Sequence, residues 1–328
     1  MRLQVNTSIS EFERNVLEKL FGHEAVEVLW SIDSRSARIL GVREARGPMV
    51  VKMPGWRTLE VLSPDERLAG ANTMNRATTA FHTRLMDLGV TLPNFYQMSE
   101  VNGFPVHLSS DHGEDCAQIV RRDQGQLQGI LEKIVRNLNG VFERGDAQIG
   151  IDARLSNFAL SQDGEIIYID IFPPLIYFEG QYFVHFPNPT VLEEVSIEID
   201  RKFKPLGILR RLRFDLLAVN PTWHECFFQT LDMVENIHLR ANLKVRFQNL
   251  PDQLVGQMSR QKRHDLLKSL PFGDVDSCRE IAAQLIPMGE LRDPVMNQVF
   301  AATSFVGVSN AERLARWERF QQIIDPFL

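Results

Sequence analysis

Three short apolar runs near the start of the chain constrain the fold more than any other feature of the sequence. They cover residues 25–32, 36–44 and 48–53, and segments rich in polar or glycine residues separate them. Runs of this length, with turn residues between them, are typical of an antiparallel meander. Two further strands are predicted at residues 94–101 and 104–109, because Asn102-Gly103 between them favours a tight hairpin turn.

Capping residues predict two helices that accompany this sheet. Ser10 and Glu13 form a capping box at the start of the first helix. Ser63 and Glu66 form a second box, which begins a longer helix that runs to about Leu88. The first 110 residues therefore contain five predicted strands with one long helix between the third and the fourth.

The remainder of the chain changes character and is mainly helical. Apolar residues between positions 127 and 142 repeat at helical spacing. From about residue 190 onward, helix starts are predicted at Asn220-Pro221, Pro251-Asp252 and Ser309. Segregation of an antiparallel sheet from a helical mass predicts an α+β protein of two lobes with a cleft between them. The expected lobes are residues 1–112 and residues 113–328.

Composition excludes several classes of protein. The chain has 36 Lys and Arg against 42 Asp and Glu, which gives a net charge of −6 and argues against a general nucleic-acid binder. No apolar run approaches the roughly 20 residues that span a bilayer, and the first residues lack the apolar core of a secretory signal. We therefore expect a cytoplasmic protein with no membrane partner. Cys116, Cys226 and Cys278 lie far apart, as reduced packing residues do.

The most informative segment for function contains Asp152, Asn157 and Asp170. The asparagine follows the first acid by five positions, and the second acid follows the asparagine by thirteen, across a hairpin predicted at Asp163-Gly164. Phosphoryl transfer uses such a set, because one carboxylate orients the acceptor hydroxyl while an amide oxygen and another carboxylate hold Mg²⁺. The alternative is structural: the acids would be solvated loop or capping residues, and the asparagine an Asx-turn residue.

This segment resembles the catalytic and metal-binding loops of the protein-kinase-like superfamily, and in character it is most similar to the aminoglycoside and other small-molecule phosphotransferases. The resemblance covers most of residues 25–175 and implies a bilobal kinase-like fold. It implies that Asp152 is the catalytic base and that Asn157 and Asp170 are Mg²⁺ ligands. Arg154 would be a cationic phosphate partner, although a surface charge is the simpler interpretation of that residue.

The resemblance also implies a nucleotide site around the third predicted strand. Lys52 lies where the family places the lysine that contacts the ATP phosphates, unless it is simply an exposed strand residue. Glu66 is the candidate partner of this lysine, but its place in the capping box explains it equally well, and Glu60 is a lesser candidate. Hydroxyl groups of Ser34 and Ser36, or the side chain of Arg35, would replace the missing glycine-rich phosphate loop.

The sequence departs from the family pattern at several positions. Gly150 and Ile151 stand where a histidine and an arginine usually precede the catalytic acid. Residues 31–36 contain no glycine, and Ile-Phe-Pro-Pro follows Asp170 in place of Phe-Gly. A regulated activation loop is therefore not expected, which favours small acceptors over proteins.

Other notable segments have ordinary interpretations. The basic clusters at residues 210–213 and 260–264 fit solvated helix faces better than phosphate-binding sites. The aromatic-rich segment at residues 172–186 is core packing or the wall of an acceptor pocket. The histidines show no metal-binding spacing, and the sequence contains no Walker, Rossmann or nucleophile-elbow motif.

The sequence thus predicts an enzyme that uses ATP and Mg²⁺ to phosphorylate a hydroxyl group of a small molecule. Two alternatives stay open at this point: a catalytically inactive kinase-like protein that binds nucleotides or serves as a scaffold, and a kinase-fold nucleotidyltransferase. The acceptor and the oligomeric state are not predicted.

Overall fold

A computed structural model describes most of the chain. The described residues are 3–5, 9–22, 26–33, 37–54, 62–94, 96–144, 148–183, 199, 201–248, 258–269, 275–286, 292–303 and 309–327. The chain divides into two compact units, one of Met1–Asp215 with Gln229–Arg240 and one of Leu216–Phe228 with Ala241–Leu328. The lobe boundary expected after residue 112 lies inside the first unit and stays a prediction.

The first unit contains the predicted antiparallel sheet. Its strands are β1 (Leu3–Val5), β2 (Val26–Asp33), β3 (Ala37–Glu44), β4 (Gly47–Pro54), β5 (Tyr96–Val101) and β6 (Phe104–Ser110). They lie in the order β1-β2-β3-β4-β6-β5, with β1 parallel to β2 and the other neighbours antiparallel. The α+β class and the five antiparallel strands are confirmed, and β1 adds a parallel strand that the sequence analysis missed.

Helix α1 (Glu11–Phe21) covers one face of this sheet. Its capping box is confirmed, since the Ser10 hydroxyl accepts from the Glu13 amide at 3.2 Å and the Glu13 carboxylate accepts from the Ser10 amide at 2.5 Å. Val16 and Leu17 of this helix share one apolar cluster with Val51 of β4. Because side chains alternate along a strand, Lys52 points to the opposite face.

Helix α2 (Pro64–Asp87) packs on that opposite face, against β5 and β6. Its capping box between Ser63 and Glu66 is also confirmed. His82 of this helix stacks on Tyr96 of β5 at 4.2 Å between ring centroids, and Tyr96 in turn contacts His107 of β6 at 4.9 Å. The sheet is thus a middle layer between two helices, with Lys52 on the α2 side.

Two small hairpins follow in the first unit. β7 (Phe158–Leu160) pairs with β8 (Ile166–Tyr168), and Gly164 takes the positive φ of +78° that the turn between them requires. This confirms the hairpin predicted at residues 163–164. β9 (Ile176–Phe178) pairs with β10 (Gln181–Phe183), so part of the aromatic-rich segment forms a hairpin that was not predicted.

The remaining helices match the expected change of character. They are α3 (Cys116–Arg122), α4 (Leu127–Arg144), α5 (Pro205–Val219), α6 (His224–Thr230), α7 (Ile237–Gln248), α8 (Arg260–Ser269), α9 (Val275–Leu285), α10 (Arg292–Ala302) and α11 (Asn310–Ile324). The apolar stripe of α4 is buried as predicted. Asn220 caps the short turn before α6, and Ser309 caps α11. The start predicted at Pro251 lies outside the described residues.

The second unit has an apolar core of its own. It joins residues of α8, α9, α10 and α11, including Cys278, Phe320 and Ile324. Cys116 of the first unit is also buried, as expected of a packing residue. None of the described helices combines the length and the apolar character needed to cross a bilayer.

Candidate functional site

The loop that carries Asp152 is anchored by backbone hydrogen bonds on its N-terminal side. The Gly150 amide donates to the Leu175 carbonyl at 2.8 Å, and the Ile151 amide donates to the Lys202 carbonyl at 2.7 Å. The apolar side chains of Ile151 and Ala153 are completely buried. Asp152 alternates with these two residues, so its side chain projects away from the apolar packing.

Asn157 connects the two acids of the predicted motif. Its side-chain Nδ2 donates to the backbone carbonyl of Asp152 at 2.8 Å and to Oδ2 of Asp170 at 3.2 Å. The Asn157 carbonyl also accepts from the Ile169 amide at 3.0 Å, just beyond the end of β8. The β7–β8 hairpin therefore brings the ends of both loops together, as the sequence pattern predicts.

Lys52 reaches this cluster from the sheet. Its Nζ lies 2.5 Å from Oδ1 of Asp170, although the two residues are 118 positions apart in the chain. The side chains of Lys52 and Asp170 are 14% and 22% exposed. The interpretation of this lysine as an exposed strand residue is therefore wrong, and the acid is not simply solvated.

Asp152 lies between two arginines. Its Oδ2 is 3.3 Å from Nε of Arg154, and its Oδ1 is 3.4 Å from Nε of Arg211. Its side chain is only 15% exposed, so the solvated-loop interpretation of this acid is wrong. Its Oδ1 is buried and accepts no hydrogen bond from the part of the chain that the structure describes.

Arg211 was missed as a site residue. The sequence analysis placed residues 210–213 on a solvated helix face, but the Arg211 side chain is only 21% exposed and Arg213 is 2% exposed. Burial lowers the pKa of Arg211, and the nearby charge of Arg154 acts in the same direction. The guanidinium also lies 5.6 Å from the ring centroid of Phe214, a cation–π contact.

Asp215 was missed as well, and the same helix supplies it. Its Oδ2 accepts from the Leu155 amide at 2.9 Å, which fixes the turn of the loop just after Arg154. Arg211 and Asp215 are four residues apart on α5 and therefore lie on the same face of the helix. That spacing is visible in the sequence, but nothing local indicates that this face meets the loop.

Tyr168 lies beneath the two acids. It is completely buried at the end of β8 and packs against Phe158 with ring centroids 5.4 Å apart. Burial raises the pKa of Tyr168, and the negative charges of Asp170 and Asp152 add to that increase. This phenol therefore stays neutral at physiological pH.

The other predicted residues are not brought into the cluster. Glu66 is exposed and accepts from the Ser63 amide at 2.9 Å and from the Ser63 hydroxyl at 2.7 Å, which is its capping role. The described ion pair of Lys52 is with Asp170, so the structure gives no support to a Lys52–Glu66 pair. Ser34, Ser36 and Glu60 lie outside the described residues.

An aromatic ring explains why a glycine stands at position 150. A Cβ at Gly150 would lie 2.8 Å from Cε2 and 2.9 Å from Cδ2 of Phe203. This ring is 2% exposed and packs edge-on against Tyr182 at 5.2 Å between ring centroids. The loop before Asp152 is thus supported by Phe203 from outside the loop rather than by a side chain at position 150.

A separate groove of about 810 Å³ lies between α2 and the β9–β10 hairpin. Its lining consists of seven residues of α2 between Asn75 and Asp87, together with Met98, residues 148–149 and residues 176–179. Arg76 and Glu179 form a two-fold ion pair across this region, at 2.6 and 3.1 Å. The groove is lined by none of Lys52, Asp152, Asn157 or Asp170, so its size says nothing about the cluster.

The cluster provides donors suited to a hard cation such as Mg²⁺. Asp170 supplies a carboxylate and Asn157 a carboxamide oxygen, and Mg²⁺ commonly binds with one or two protein oxygens while water and phosphate complete its shell. Within the described ranges, no group of three or more His, Cys, Asp or Glu side chains could hold a metal ion by itself. The residues present therefore fit a metal that arrives with a phosphate ligand, not a structural metal centre.

No protein-family model and no curated protein sequence matches this chain. The resemblance to the kinase-like superfamily therefore stays a prediction from the motif residues.

Proposed function

We propose that this protein is a kinase-like phosphotransferase that uses ATP and Mg²⁺ to phosphorylate a hydroxyl group of a small molecule. One observation carries the proposal: Lys52 contacts Asp170, 118 positions further along the chain, and Asp170 in turn contacts Asn157. A lysine from a sheet, a carboxamide and a carboxylate are the groups that position nucleotide phosphates and their metal in kinase-like enzymes.

The nucleotide half of the site is formed by Lys52, Asn157 and Asp170. Lys52 would exchange its contact with Asp170 for the phosphate oxygens, while the oxygens of Asn157 and Asp170 would hold Mg²⁺. The metal would neutralise the charge that develops on the transferred phosphoryl group. Because the Nζ of Lys52 already lies at hydrogen-bonding distance from Asp170, these groups need little rearrangement to bind such a ligand.

The acceptor half of the site is centred on Asp152. Oδ1 of this residue is enclosed beside Arg211, so an acceptor hydroxyl would approach Oδ2. There the carboxylate would orient the hydroxyl and take its proton during transfer. The Asn157 hydrogen bond to the Asp152 carbonyl, at 2.8 Å, links this half of the site to the metal-binding half.

Nucleotide binding is tested by thermal unfolding with ATP, with and without Mg²⁺. A ligand that binds only the folded state stabilises it by about 2.7 kcal/mol at 100 times its Kd. We expect a Mg²⁺-dependent rise in the unfolding midpoint for the natural chain and its loss in Asp170→Asn. The matched control is Asp163→Asn, the same change at an exposed turn position of the same hairpin. The absence of any shift in the natural chain at millimolar nucleotide would refute the proposal.

Catalysis is tested with Asp152→Asn and ³²P-labelled ATP. We expect the substitution to abolish transfer to hydroxyl acceptors while Mg²⁺-dependent nucleotide binding remains, because Asp152 serves the acceptor and not the nucleotide. Undiminished transfer would refute the role of Asp152. Binding without transfer in the natural chain would indicate a nucleotide-binding scaffold, and the mass of the product would reveal transfer of a nucleotidyl group instead.

A further inference from the structure

Positive charge surrounds Asp152, in contrast to the net charge of −6 of the whole chain. Arg154 and Arg211 contact the two oxygens of the carboxylate, and the charge of Arg201 is close enough to act on Arg211. Asp215 is the other carboxylate whose charge acts on Arg211. Two guanidinium groups therefore contact a single carboxylate in the acceptor half of the site.

The two arginines that contact Asp152 retain hydrogen-bonding capacity. Their Nε atoms lie at 3.3 and 3.4 Å from the carboxylate, distances of a charge contact rather than a short hydrogen bond. No hydrogen bond to another described residue uses the guanidinium N–H groups of Arg154 or Arg211. A guanidinium has five N–H donors in a planar fork, which matches the oxygens of a phosphate or a carboxylate.

Arg211 is held in place more firmly than a surface arginine. Its side chain is 21% exposed, whereas that of Arg154 is 48% exposed. Its guanidinium packs near Phe214, and its helix is tied to the catalytic loop by the hydrogen bond between Asp215 and Leu155. A partly buried, positioned guanidinium loses less side-chain entropy when it binds an anion.

We propose that the acceptor is an anion, namely a small hydroxyl compound that carries a phosphate or carboxylate group. Arg211 binds this anionic group together with Arg154, which contacts the other oxygen of Asp152. This inference rests on the proposed function, because it identifies the substrate class of the same site. A cationic acceptor such as an aminoglycoside is disfavoured, since it would meet the guanidinium groups of Arg154 and Arg211 beside Asp152. Binding the anion would draw both guanidinium groups away from Asp152, and the departure of Arg154 would leave Oδ2 for the acceptor hydroxyl.

The test compares related polyhydroxyl compounds of different charge. Glucose, glucosamine, gluconate and glucose 6-phosphate form one set, and glycerol, serinol, glycerate and glycerol 3-phosphate form another. Binding is measured by saturation-transfer NMR titration, both without nucleotide and with a saturating non-hydrolysable ATP analogue and Mg²⁺. We expect the anionic members of at least one set to bind ten-fold or more tightly than the neutral and cationic members. The phosphate and carboxylate members distinguish the two sources of anion.

Variants assign the effect to Arg211. Arg211→Met should weaken binding of the preferred anion at least ten-fold and leave Mg²⁺–nucleotide binding unchanged. Arg211→Lys keeps the positive charge but loses the planar set of guanidinium donors. Its affinity for the preferred anion should therefore lie between those of the natural chain and Arg211→Met. The matched control is Arg122→Met, which removes an arginine 63% exposed and paired with Glu114. Amide hydrogen exchange of residues 148–170 would verify that the loop remains folded in each variant.

Two results would overturn the inference. The first is that neutral or cationic members bind as tightly as the anionic ones, and the second is that Arg211→Met leaves anion affinity unchanged. Loss of nucleotide affinity alone in Arg211→Met would also overturn it, because it would assign Arg211 to the nucleotide phosphates. Failure of the phosphotransferase proposal would show in a different measurement, namely an unfolding midpoint that Mg²⁺ and ATP do not raise. The titrations without nucleotide would still decide whether an anion binds at Arg211.

Discussion

His107 is the clearest stability test that the structure offers, because it is a buried titratable group with no hydrogen-bond partner among the described residues. It lies opposite Lys52 in the β4–β6 register and is 2% exposed. Neither ring nitrogen is hydrogen-bonded within the described chain. Burial, together with the charges of Lys52 and His82, lowers the pKa of His107 to about 3. The folded protein therefore holds this imidazole neutral.

The sign of the pH effect follows from this lowered pKa. In the unfolded chain His107 takes up a proton near its ordinary pKa of 6.5, but in the folded chain only near 3. Stability is therefore complete above pH 6.5 and declines as the pH falls from 6.5 toward 3. Between pH 7.5 and pH 5.0 the loss due to His107 is about 2 kcal/mol. His107→Leu should remove this loss and, at pH 7.5, stabilise the fold by about 1–3 kcal/mol, because unpartnered buried polar atoms are costly.

The assay must report on the first unit alone, because two units need not unfold together. Samples equilibrated in urea at pH 7.5 or 5.0 receive a short deuterium pulse, and mass spectrometry of peptides from residues 96–110 then gives the unfolded fraction of β5 and β6. Tyr96→Phe is the control: it removes a neighbouring buried hydroxyl that also lacks a partner among the described residues, but no group that titrates in this range. If His107→Leu loses as much stability between the two pH values as the natural chain does, the assignment of a buried neutral imidazole is wrong.

Two further substitutions test the packing around the sheet and the loop. Gly150→Ala should lower the free energy of unfolding by about 1–3 kcal/mol, since its Cβ would lie 2.8 Å from the Phe203 ring. Thermal unfolding should show that Phe203→Leu restores part of this loss. A Gly150→Ala variant as stable as the natural chain would contradict the contact. Glu13→Gln should cost about 2–3 kcal/mol by urea unfolding at pH 7, because Glu13 is buried and binds Arg38. Burial opposes the ionisation of Glu13, but the hydrogen bonds from Arg38 and Ser10 lower its pKa below the ordinary value of 4.5. The contribution of Glu13 to the free energy of unfolding is therefore present above pH 4.5 and declines as the pH falls through the lowered pKa. An equal cost at pH 7 and in strong acid would contradict this ionic role.

The sequence predicted best those features that neighbouring residues determine. The capping boxes at Ser10 and Ser63 and the turn at Gly164 depend on residues within a few positions of one another, and all of them are found in the structure. The juxtaposition of Asn157 and Asp170 was also accessible, since a short hairpin joins the loops that carry them. Lys52 required more: the resemblance to a known family placed it at the nucleotide phosphates with Glu66 as candidate partner, and its contact with Asp170 across 118 positions was not predicted.

The residues that sequence reasoning missed reach the site through long-range packing. Arg211 belongs to a basic run of a helix, and such runs are usually solvated. Its role depends on which face of α5 meets the loop of Asp152, and no local pattern determines that. His107 is similar: it alternates with Val106 and Leu108, a pattern that predicts a solvent-facing histidine, but α2 covers that face of the sheet. The parallel pairing of β1 with β2 is likewise long-range.

The charged groups of the site pair with one another, so they need no bound ligand to neutralise them. Unpaired charges in a partly buried cluster would destabilise the fold, and removal of one partner from such a pair is costly. Here Lys52 pairs with Asp170, and Asp152 pairs with Arg154 and Arg211. In each pair, the carboxylate is the group proposed to hold the metal or to take the hydroxyl proton. The cationic side chain is the group proposed to bind a phosphate or another anion. Binding of Mg²⁺–ATP and an anionic acceptor would give Lys52, Asp170 and the two arginines ligand partners of the same sign as the protein partners that they lose. Asp152 alone would exchange a guanidinium contact for a neutral hydroxyl, which is the exchange that frees it to take the proton.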